Sequence, residues 1–150
     1  MYKHILLPTD GSAASRRAVE AGVALAKSTG ARVTGLFAVP PATPILFRDK
    51  LPAGYATPRK NEALLSRAAE SHLDVIRAAA KKAGVRCEVL SVKSDYPADS
   101  ILKIARQAKC DLIVMASRGR GGLRGVLLGS ETQKVLNASP VPVLVYRIKS

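Results

Sequence analysis

The sequence predicts a single α/β domain spanning residues 1–150, in which helices cover both faces of an open, parallel, five-stranded sheet. Three observations support this fold class. Short apolar runs alternate with helical patterns, as in consecutive strand–helix–strand units. The run Asp111–Met115 is almost entirely apolar, as expected of a strand covered on both faces. The length of 150 residues suits one domain, which at this size buries roughly 70% of the surface that its unfolded chain exposes.

The first half of the chain contains two strands, one helix and a proline-rich segment. His4–Pro8 is a short apolar run that predicts a buried strand. Small apolar residues recur at helical spacing over residues 12–29, and Gly30 stands where a helix end favours a left-handed residue. Residues 32–39 are rich in β-branched and aromatic residues and predict the second strand. Residues 40–60 hold five of the nine prolines, so we expect a mobile loop, which is a lid, a dimer-facing flap or an insertion without a role.

The second half of the chain continues the alternation of helix and strand. An apolar stripe predicts a long helix over residues 61–83. Proline is favoured at the first position of a helix, so the next helix is expected to begin at Pro97. The other predicted elements are strands over 86–92, 111–115 and 141–146 and a helix over 130–137.

The last predicted strand, Val141–Tyr146, contains Pro142. Proline cannot donate to a strand ladder, so this strand is expected at an edge of the sheet. An apolar edge invites pairing with a second chain, so residues 141–146 are a candidate edge for such pairing.

The charge balance leaves two interpretations open. The chain carries 24 Lys and Arg residues against 11 Asp and Glu, a formal net charge of +13. This excess either attracts a polyanion, such as a nucleic acid, an anionic membrane or a nucleotide, or keeps the surface solvated. No apolar run approaches the roughly 20 residues of a membrane helix, and we expect no membrane partner. The two cysteines form no framework or ligand cluster and favour a reduced cytoplasm.

The segment over residues 115–130 is the most informative in the chain, because it leaves a buried strand, passes through several glycines and enters a helix. Gly119 and Gly129 can take backbone angles closed to other residues, and they let a ligand approach the main chain. Ser130 is expected as the N-cap of the helix, with Gln133 as its capping-box partner. The amides and dipole of this helix start suit a phosphate, although a glycine-rich connection without a ligand explains the same pattern.

The segment does not match the common phosphate-binding motifs. A Walker A loop needs Lys directly after its last glycine, whereas Gly129 is followed by Ser130 and Glu131. The Rossmann fingerprint follows the first strand, where this chain has only Thr9-Asp10-Gly11. The segment carries its own positive charge in Arg118, Arg120 and Arg124.

Four segments together resemble the universal stress protein family, and the resemblance covers essentially the whole chain. They are Ile5–Ser12, Asp111–Met115, Leu127–Ser130 and Pro140–Val145. The ATP-binding branch of that family carries G-x2-G-x9-G-[S/T], and Gly119, Gly129 and Ser130 fit this pattern, with Ala116 in place of its first glycine. The resemblance implies a Rossmann-like sheet of the adenine nucleotide α-hydrolase type. It also implies dimers joined through the last strand, and we therefore expect a homodimer through Val141–Tyr146.

The resemblance also implies a site for ATP, with Mg²⁺ on its phosphates, at the carboxyl ends of the strands. Asp10 and the main chain around Val39 would hold the adenine and ribose end, and Met115 and Ala116 would line the ribose. Gly119, Gly129, Ser130 and the amide of Glu131 would receive the phosphates. The site residues that we predict are Pro8, Thr9, Asp10, Val39, Met115, Ala116, Arg118, Gly119, Gly129, Ser130 and Glu131.

Two of these residues depart from the family pattern. The methyl group of Ala116 is strained if the backbone there needs a positive φ, and tolerated if the site needs only close approach. The Glu131 carboxylate competes with phosphates for the helix N-terminus, turns away, or helps to hold a metal ion. Asp10 either serves the ligand or caps the helix that follows Ser12.

The sequence therefore favours an ATP-binding regulatory module of the stress response, located in the cytoplasm. No general base, metal cluster or nucleophile is placed by the sequence, so we expect no enzyme, although slow ATP hydrolysis stays open. An alternative is a dimeric basic interaction protein that does not bind ATP, or that binds nucleic acid or an acidic protein through Arg118, Arg120 and Arg124. Nucleic acid is disfavoured there, because no aromatic residue interleaves with these arginines. An enzyme acting on a nucleotide is a third interpretation.

Overall fold

The computed structural model of the protein describes residues 1–39, 58–119 and 127–148. Within these residues strands and helices alternate along the chain, as the sequence predicts. The elements are β1 His4–Thr9, α1 Ala13–Thr29, β2 Arg32–Val39, α2 Pro58–Ala83, β3 Cys87–Lys93, α3 Pro97–Gln107, β4 Leu112–Ala116, α4 Ser130–Ala138 and β5 Val143–Tyr146.

The five strands form one parallel sheet in the order β3-β2-β1-β4-β5. Strand β1 lies at the centre, where Ile5 is in register with Val33 on one side and with Leu112 on the other. The chain builds outward from β1 to β3 and then crosses back to place β4 on the opposite side of β1. The direction of winding therefore reverses between β1 and β4, which is where open α/β sheets bind their ligands.

Helices cover both faces of the sheet, which confirms the predicted fold class. On one face, α1 and α2 bury side chains against β1, β2 and β4; the cluster includes Ile5, Leu7, Val19, Val23, Val33, Leu73 and Ile76. On the other face, α3 and α4 pack against the same strands; that cluster includes Leu6, Leu36, Ile101, Leu102, Ile113 and Val135. No helix among the described residues is both long and apolar enough to cross a membrane.

Two element boundaries differ from the prediction by more than one residue, and both differences involve proline. Helix α2 begins at Pro58, three residues before the predicted start, because proline fits the first turn of a helix, where its missing N–H needs no partner. Residues 58–60 are thus helical, and residues 40–57 of the predicted loop lie outside the described residues. Strand β5 begins at Val143, so Pro142 precedes the strand, although its carbonyl still accepts the N–H of Ile113 at 3.0 Å.

The predicted edge position of the last strand is confirmed, because β5 lies at one end of the strand order. The predicted end of α1 is also confirmed. Gly30 has φ 71°, and the chain turns there into β2. At the other end of α1, Ser12 is the N-cap, and its side chain accepts the N–H of Ser15 at 3.1 Å.

Candidate functional site

A cavity of about 340 Å³ opens at the carboxyl ends of β1, β2 and β4. All of the predicted site residues except Val39 line it: Pro8, Thr9, Asp10, Met115, Ala116, Arg118, Gly119, Gly129, Ser130 and Glu131. Val39 ends β2, where its backbone is in register with Lys93. The cavity has a size typical of small-molecule sites, and it lies where the sheet reverses its winding.

The β1–α1 turn positions Asp10 by hydrogen bonds within the turn. One carboxylate oxygen of Asp10 accepts the N–H of Ser12 at 2.9 Å. Gly11 has φ 78° and donates its N–H to the hydroxyl of Thr9 at 3.1 Å. The Thr9 hydroxyl is in turn 2.9 Å from that of Ser15. Ser12 therefore holds the N-cap of α1, while Asp10 supports the turn and also lines the cavity.

The chain leaves β4 at Ser117, and hydrogen bonds from Gly129 and Thr132 bring the start of α4 back to the end of β4. The Ser117 N–H donates to the carbonyl of Tyr146 at 2.9 Å, and the Ser117 carbonyl accepts the N–H of Gly129 at 2.7 Å. The Thr132 hydroxyl donates to the carbonyl of Ala116 at 3.0 Å. These bonds fix the start of α4 against the end of β4, so the helix N-terminus forms one wall of the cavity.

Gly119 lies against the Asp10 carboxylate. A β-carbon at residue 119 would overlap the Oδ2 atom of Asp10. The described residues with positive φ do not include Gly119 or Gly129, so the expectation of unusual backbone angles at these two glycines is wrong. Gly119 is required for close approach, because any side chain there would displace Asp10. At Gly129 a β-carbon would meet only the backbone of residues 117–119, at 3.5 Å or more.

The predicted capping box at α4 is wrong. Gly129 is the N-cap, with φ −69° and ψ 157°, and Ser130 is the first helical residue. The side chain of Gln133 donates to the carbonyl of Leu128 at 3.2 Å and does not reach back to the cap. A glycine cap has no side-chain oxygen to occupy the first-turn amides. No capping side chain among the described residues therefore occupies the amides at the start of α4, and the amides of residues 130–132 can bind an anionic ligand.

Glu131 turns its carboxylate toward the neighbouring helix. Its Oε2 atom accepts the N–H of Ala98 at 2.9 Å, in the first turn of α3. Its Oε1 atom pairs with the ammonium of Lys134 at 2.9 Å. The N-cap of α3, Tyr96, makes no side-chain cap bond, so Glu131 supplies this function from α4. Of the three expectations for Glu131, the structure favours the one in which the side chain turns away.

Ala116 is the last residue of β4 and is 6% exposed. Its backbone is in register with Tyr146, and the only described non-glycine residue with positive φ is Lys109. The strain expected for a positive φ at Ala116 is therefore absent, and its methyl group forms part of the cavity wall.

The sequence reasoning missed several lining residues: Ser15, Leu36, Ala38, Pro97, Ile101 and Thr132. Leu36 and Ala38 are two residues apart on β2 and so lie on one face. Leu36, Ile101 and Met115 belong to one buried apolar cluster. The cavity thus joins an apolar wall to a polar end formed by Asp10 and the first turn of α4. The alternation of side chains along β2 could have predicted that Leu36 and Ala38 both face the cavity.

The polar end carries charges of both signs. Asp10 and Glu131 are acidic, Arg118 is basic and half-buried, and Lys134 neutralises part of the Glu131 charge. Arg120 and Arg124, which the sequence analysis grouped with Arg118, lie outside the described residues. Over residues 1–39, 58–119 and 127–148, no three His, Cys, Asp or Glu side chains are placed together to hold a metal ion.

Comparison with known proteins gives a consistent result over nearly the whole chain. The universal stress protein family profile matches residues 1–147. A universal stress protein from the QAH/OAS sulfhydrylase 3′ region of Thermus aquaticus is 36% identical over 148 residues, which cover 98% of this chain and 100% of that protein.

Solved structures give the same result for the fold. The hypothetical protein MJ0577 of Methanocaldococcus jannaschii superposes with a TM-score of 0.82 at 27% identity, covering 100% of this chain and 99% of that one. A universal stress protein solved in complex with cAMP superposes with a TM-score of 0.70 at 26% identity, covering 97% of each chain.

Proposed function

The chain belongs to the universal stress protein family, and from this premise we propose that it binds an adenine nucleotide, ATP in particular, and acts as a regulatory module of the stress response. The observation that carries the proposal is the cavity at the carboxyl ends of β1, β2 and β4, closed on one side by the N-terminus of α4. A structural neighbour of similar fold was solved with cAMP, which supports an adenine nucleotide as the ligand class.

The walls of the cavity suit the two ends of such a ligand. Leu36, Ile101 and Met115 offer an apolar surface for the adenine ring. The Asp10 carboxylate suits the hydroxyl groups of a ribose, because an ionised carboxylate only accepts hydrogen bonds. The amides of residues 130–132 and the dipole of α4 suit the phosphates. Mg²⁺ would be carried by the phosphates and would neutralise part of their charge.

The two departures from the family motif are compatible with this ligand. Ala116 sits in regular strand geometry, so its methyl group narrows the cavity without strain. The Glu131 carboxylate is engaged by Ala98 and Lys134, which directs its charge away from the phosphate end. Arg118 adds positive charge to the cavity wall.

We propose a binding module rather than an enzyme, with any ATP hydrolysis slow. Both carboxylates that line the cavity accept backbone N–H groups, Asp10 that of Ser12 and Glu131 that of Ala98, which supports positioning roles for them rather than catalytic ones. The thiols of Cys87 and Cys110 are unpaired, which supports placement in a reducing cytoplasm.

We also propose a homodimer through the edge strand β5. Its outer edge is available for pairing within the sheet order, and Leu144 is 40% exposed. A monomeric mass by light scattering at micromolar concentration would contradict this assembly.

The direct test is to purify the protein gently, denature it and identify any released nucleotide by chromatography and mass spectrometry. ATP with Mg²⁺ is then titrated into the emptied protein by calorimetry. Release of an adenine nucleotide, or micromolar binding, is expected. A cavity that releases nothing and ignores added ATP would reject the proposal and favour the dimeric basic interaction protein, for which the net charge of +13 is the supporting observation.

A proline variant tests the role of the α4 amides. Ser130→Pro removes one N–H at the first position of the helix, where proline is tolerated. Gly129 already has the extended ψ of 157° that a residue before proline prefers. We expect the fold to persist and nucleotide affinity to fall about tenfold, as for one charge-assisted hydrogen bond.

Ala13→Pro is the matched control, because Ala13 is the first residue of α1, follows an extended Ser12 with ψ 160° and does not line the cavity. Ser130→Ala separates loss of the hydroxyl from loss of the amide. Equal affinity in the Ser130→Pro and Ala13→Pro proteins would contradict the assignment of phosphates to this helix start.

A further inference from the structure

A row of cations lies along the end of the sheet opposite the cavity. Lys3 directly precedes β1, Arg32 begins β2 and Arg86 directly precedes β3. The Arg32 N–H donates to the Lys3 carbonyl at 3.0 Å, and the Val33 N–H donates to the Arg86 carbonyl at 2.8 Å. Arg32 and Arg86 each stand one residue before the register pair Val33 and Cys87, and Lys3 stands one residue before His4, the register partner of Arg32. The three basic residues therefore lie at the starts of neighbouring strands, which are about 5 Å apart in a sheet. All three side chains are exposed.

The helices bring further cations to the same end. In a parallel α/β fold each helix finishes close to the start of the next strand. Lys27 lies in the last turn of α1, Lys81 and Lys82 in the last turn of α2, and Arg106 in the last turn of α3, followed by Lys109. These side chains are all exposed. We name the row and these helix-end cations together the basic end.

Few acidic groups balance the basic end. Glu88 and Asp111 are the carboxylates on the neighbouring strand starts, and Asp111 already accepts the N–H groups of Lys3 and His4 at 2.8 and 3.0 Å. The ion pairs between described residues involve Arg77, Lys93 and Lys134, none of which lies at the basic end. Eight exposed cations therefore stand at the basic end against the two carboxylates of Glu88 and Asp111.

Helix stability explains only part of this arrangement. Cations in the last turn of a helix interact favourably with its dipole, which accounts for the helix-end residues. Lys3, Arg32 and Arg86 are at strand starts, where no comparable dipole exists. These three residues lie at the opposite end of the strands from the cavity, so they do not contact a nucleotide bound there.

We propose that the basic end binds the phosphate backbone of a nucleic acid, without reading its sequence. A row of long, exposed Lys and Arg side chains matches closely spaced phosphates, and such contacts need no aromatic platform. The lack of aromatic residues beside Arg118 disfavours stacked bases there, but the basic end lies elsewhere and needs no stacking. Binding of this kind is electrostatic and weakens steeply with salt.

The test compares two triple variants that change net charge equally. Lys3→Gln, Arg32→Gln and Arg86→Gln remove the row. Arg16→Gln, Arg17→Gln and Arg67→Gln remove three exposed arginines from the helices α1 and α2. Fluorescence anisotropy with a labelled single-stranded oligonucleotide at about 50 to 200 mM KCl gives the affinity and its salt dependence.

We expect the row variant to lose about tenfold or more in affinity at the lowest salt, and its plot of log K against log salt to become less steep by about 2, as for three phosphates. The control triple should bind like the parent protein. Equal losses in the two triples would reject a defined surface, and no binding at the lowest salt would reject the nucleic acid.

Two further measurements distinguish other sources of binding. ATP with Mg²⁺, added at matched ionic strength, should leave oligonucleotide binding unchanged. Competition by ATP that persists in the row variant would place the oligonucleotide in the cavity and overturn the inference. Tighter row-dependent binding to anionic phospholipid vesicles or to a polyglutamate peptide than to the oligonucleotide would also overturn it. The comparison of the two triple variants does not depend on whether the cavity binds a nucleotide.

Discussion

The Oε2 atom of Glu131 lies 2.9 Å from the backbone nitrogen of Ala98, so a side chain near the start of α4 caps the start of α3. The two helices pack on the same face of the sheet. One carboxylate thereby fixes the positions of two walls of the cavity, since both Pro97 and Glu131 line it.

Glu131→Ala should lower the free energy of unfolding by about 1 kcal/mol, the usual effect of losing a helix cap. Glu131→Gln keeps an oxygen that can accept the Ala98 N–H and should recover most of this loss. Urea denaturation measures both. Lys134→Ala, which removes only the exposed partner of Glu131, is the control and should behave like the parent. If Lys134→Ala lost as much stability as Glu131→Ala, the cap would not be the cause.

Substitution of the two cavity glycines should have different effects. Gly119→Ala places a methyl group into the Asp10 carboxylate and should weaken ATP binding about tenfold by displacing it. Gly129→Ala meets only ordinary contacts at 3.5 Å or more, at a φ of −69° that alanine adopts freely. Gly129→Ala should therefore leave the Asp10 carboxylate in place and lower the free energy of unfolding by no more than about 1 kcal/mol, because alanine is a poorer N-cap than glycine. Calorimetric titration and urea denaturation of both proteins check this contrast.

Stability should fall as the pH drops below about 6.5, because of His4. Burial lowers the pKa of His4, and the nearby Arg32 lowers it further. Above the ordinary His pKa, His4 is neutral in both states and stability is complete. Below it, the unfolded chain binds a proton that the folded protein resists, so the free energy of unfolding decreases.

The measurement is urea denaturation at several pH values between about 7.5 and 5, above the range in which carboxylates titrate. His4→Gln should flatten the dependence, because glutamine does not titrate and can still bond the Thr34 hydroxyl, which lies 2.7 Å from His4 Nε2. A parent protein equally stable across this range would contradict the assignment to His4.

Both thiols should be slow to react in the folded protein. Burial raises the pKa of Cys110 to about 11, and burial also raises the pKa of Cys87. The thiolate is the reactive form, so alkylation by iodoacetamide near neutral pH should be far slower than in urea. Cys87, which is half-buried, should react before the fully buried Cys110. Mass spectrometry of timed samples reports the order, and rapid labelling of Cys110 would contradict its buried position.

The order of elements and the fold class could be predicted because apolar periodicity and glycine stops are local signals. The position of most cavity residues followed from the same reasoning, since strand ends determine where the cavity lies. The sequence could not place the start of α2 or the N-cap of α4 to the residue. Several neighbouring residues satisfy the preferences for helix starts and caps, whereas the structure selects Pro58 and Gly129. The role of Glu131 was left open for a different reason. Its partner Ala98 is 33 residues away in sequence, and only the packing of α3 beside α4 brings them together.

The hydrogen bond from the Gly129 N–H to the Ser117 carbonyl, 2.7 Å long, also has a consequence for how this protein can change over evolution or in the laboratory. It joins the residue that follows β4 to the residue that precedes α4, so two walls of the cavity are held together. Doubling the length of a closed segment costs only about 0.6 kcal/mol in chain entropy. The bond between Ser117 and Gly129 therefore matters more than the length of chain between them for keeping the start of α4 at the end of β4.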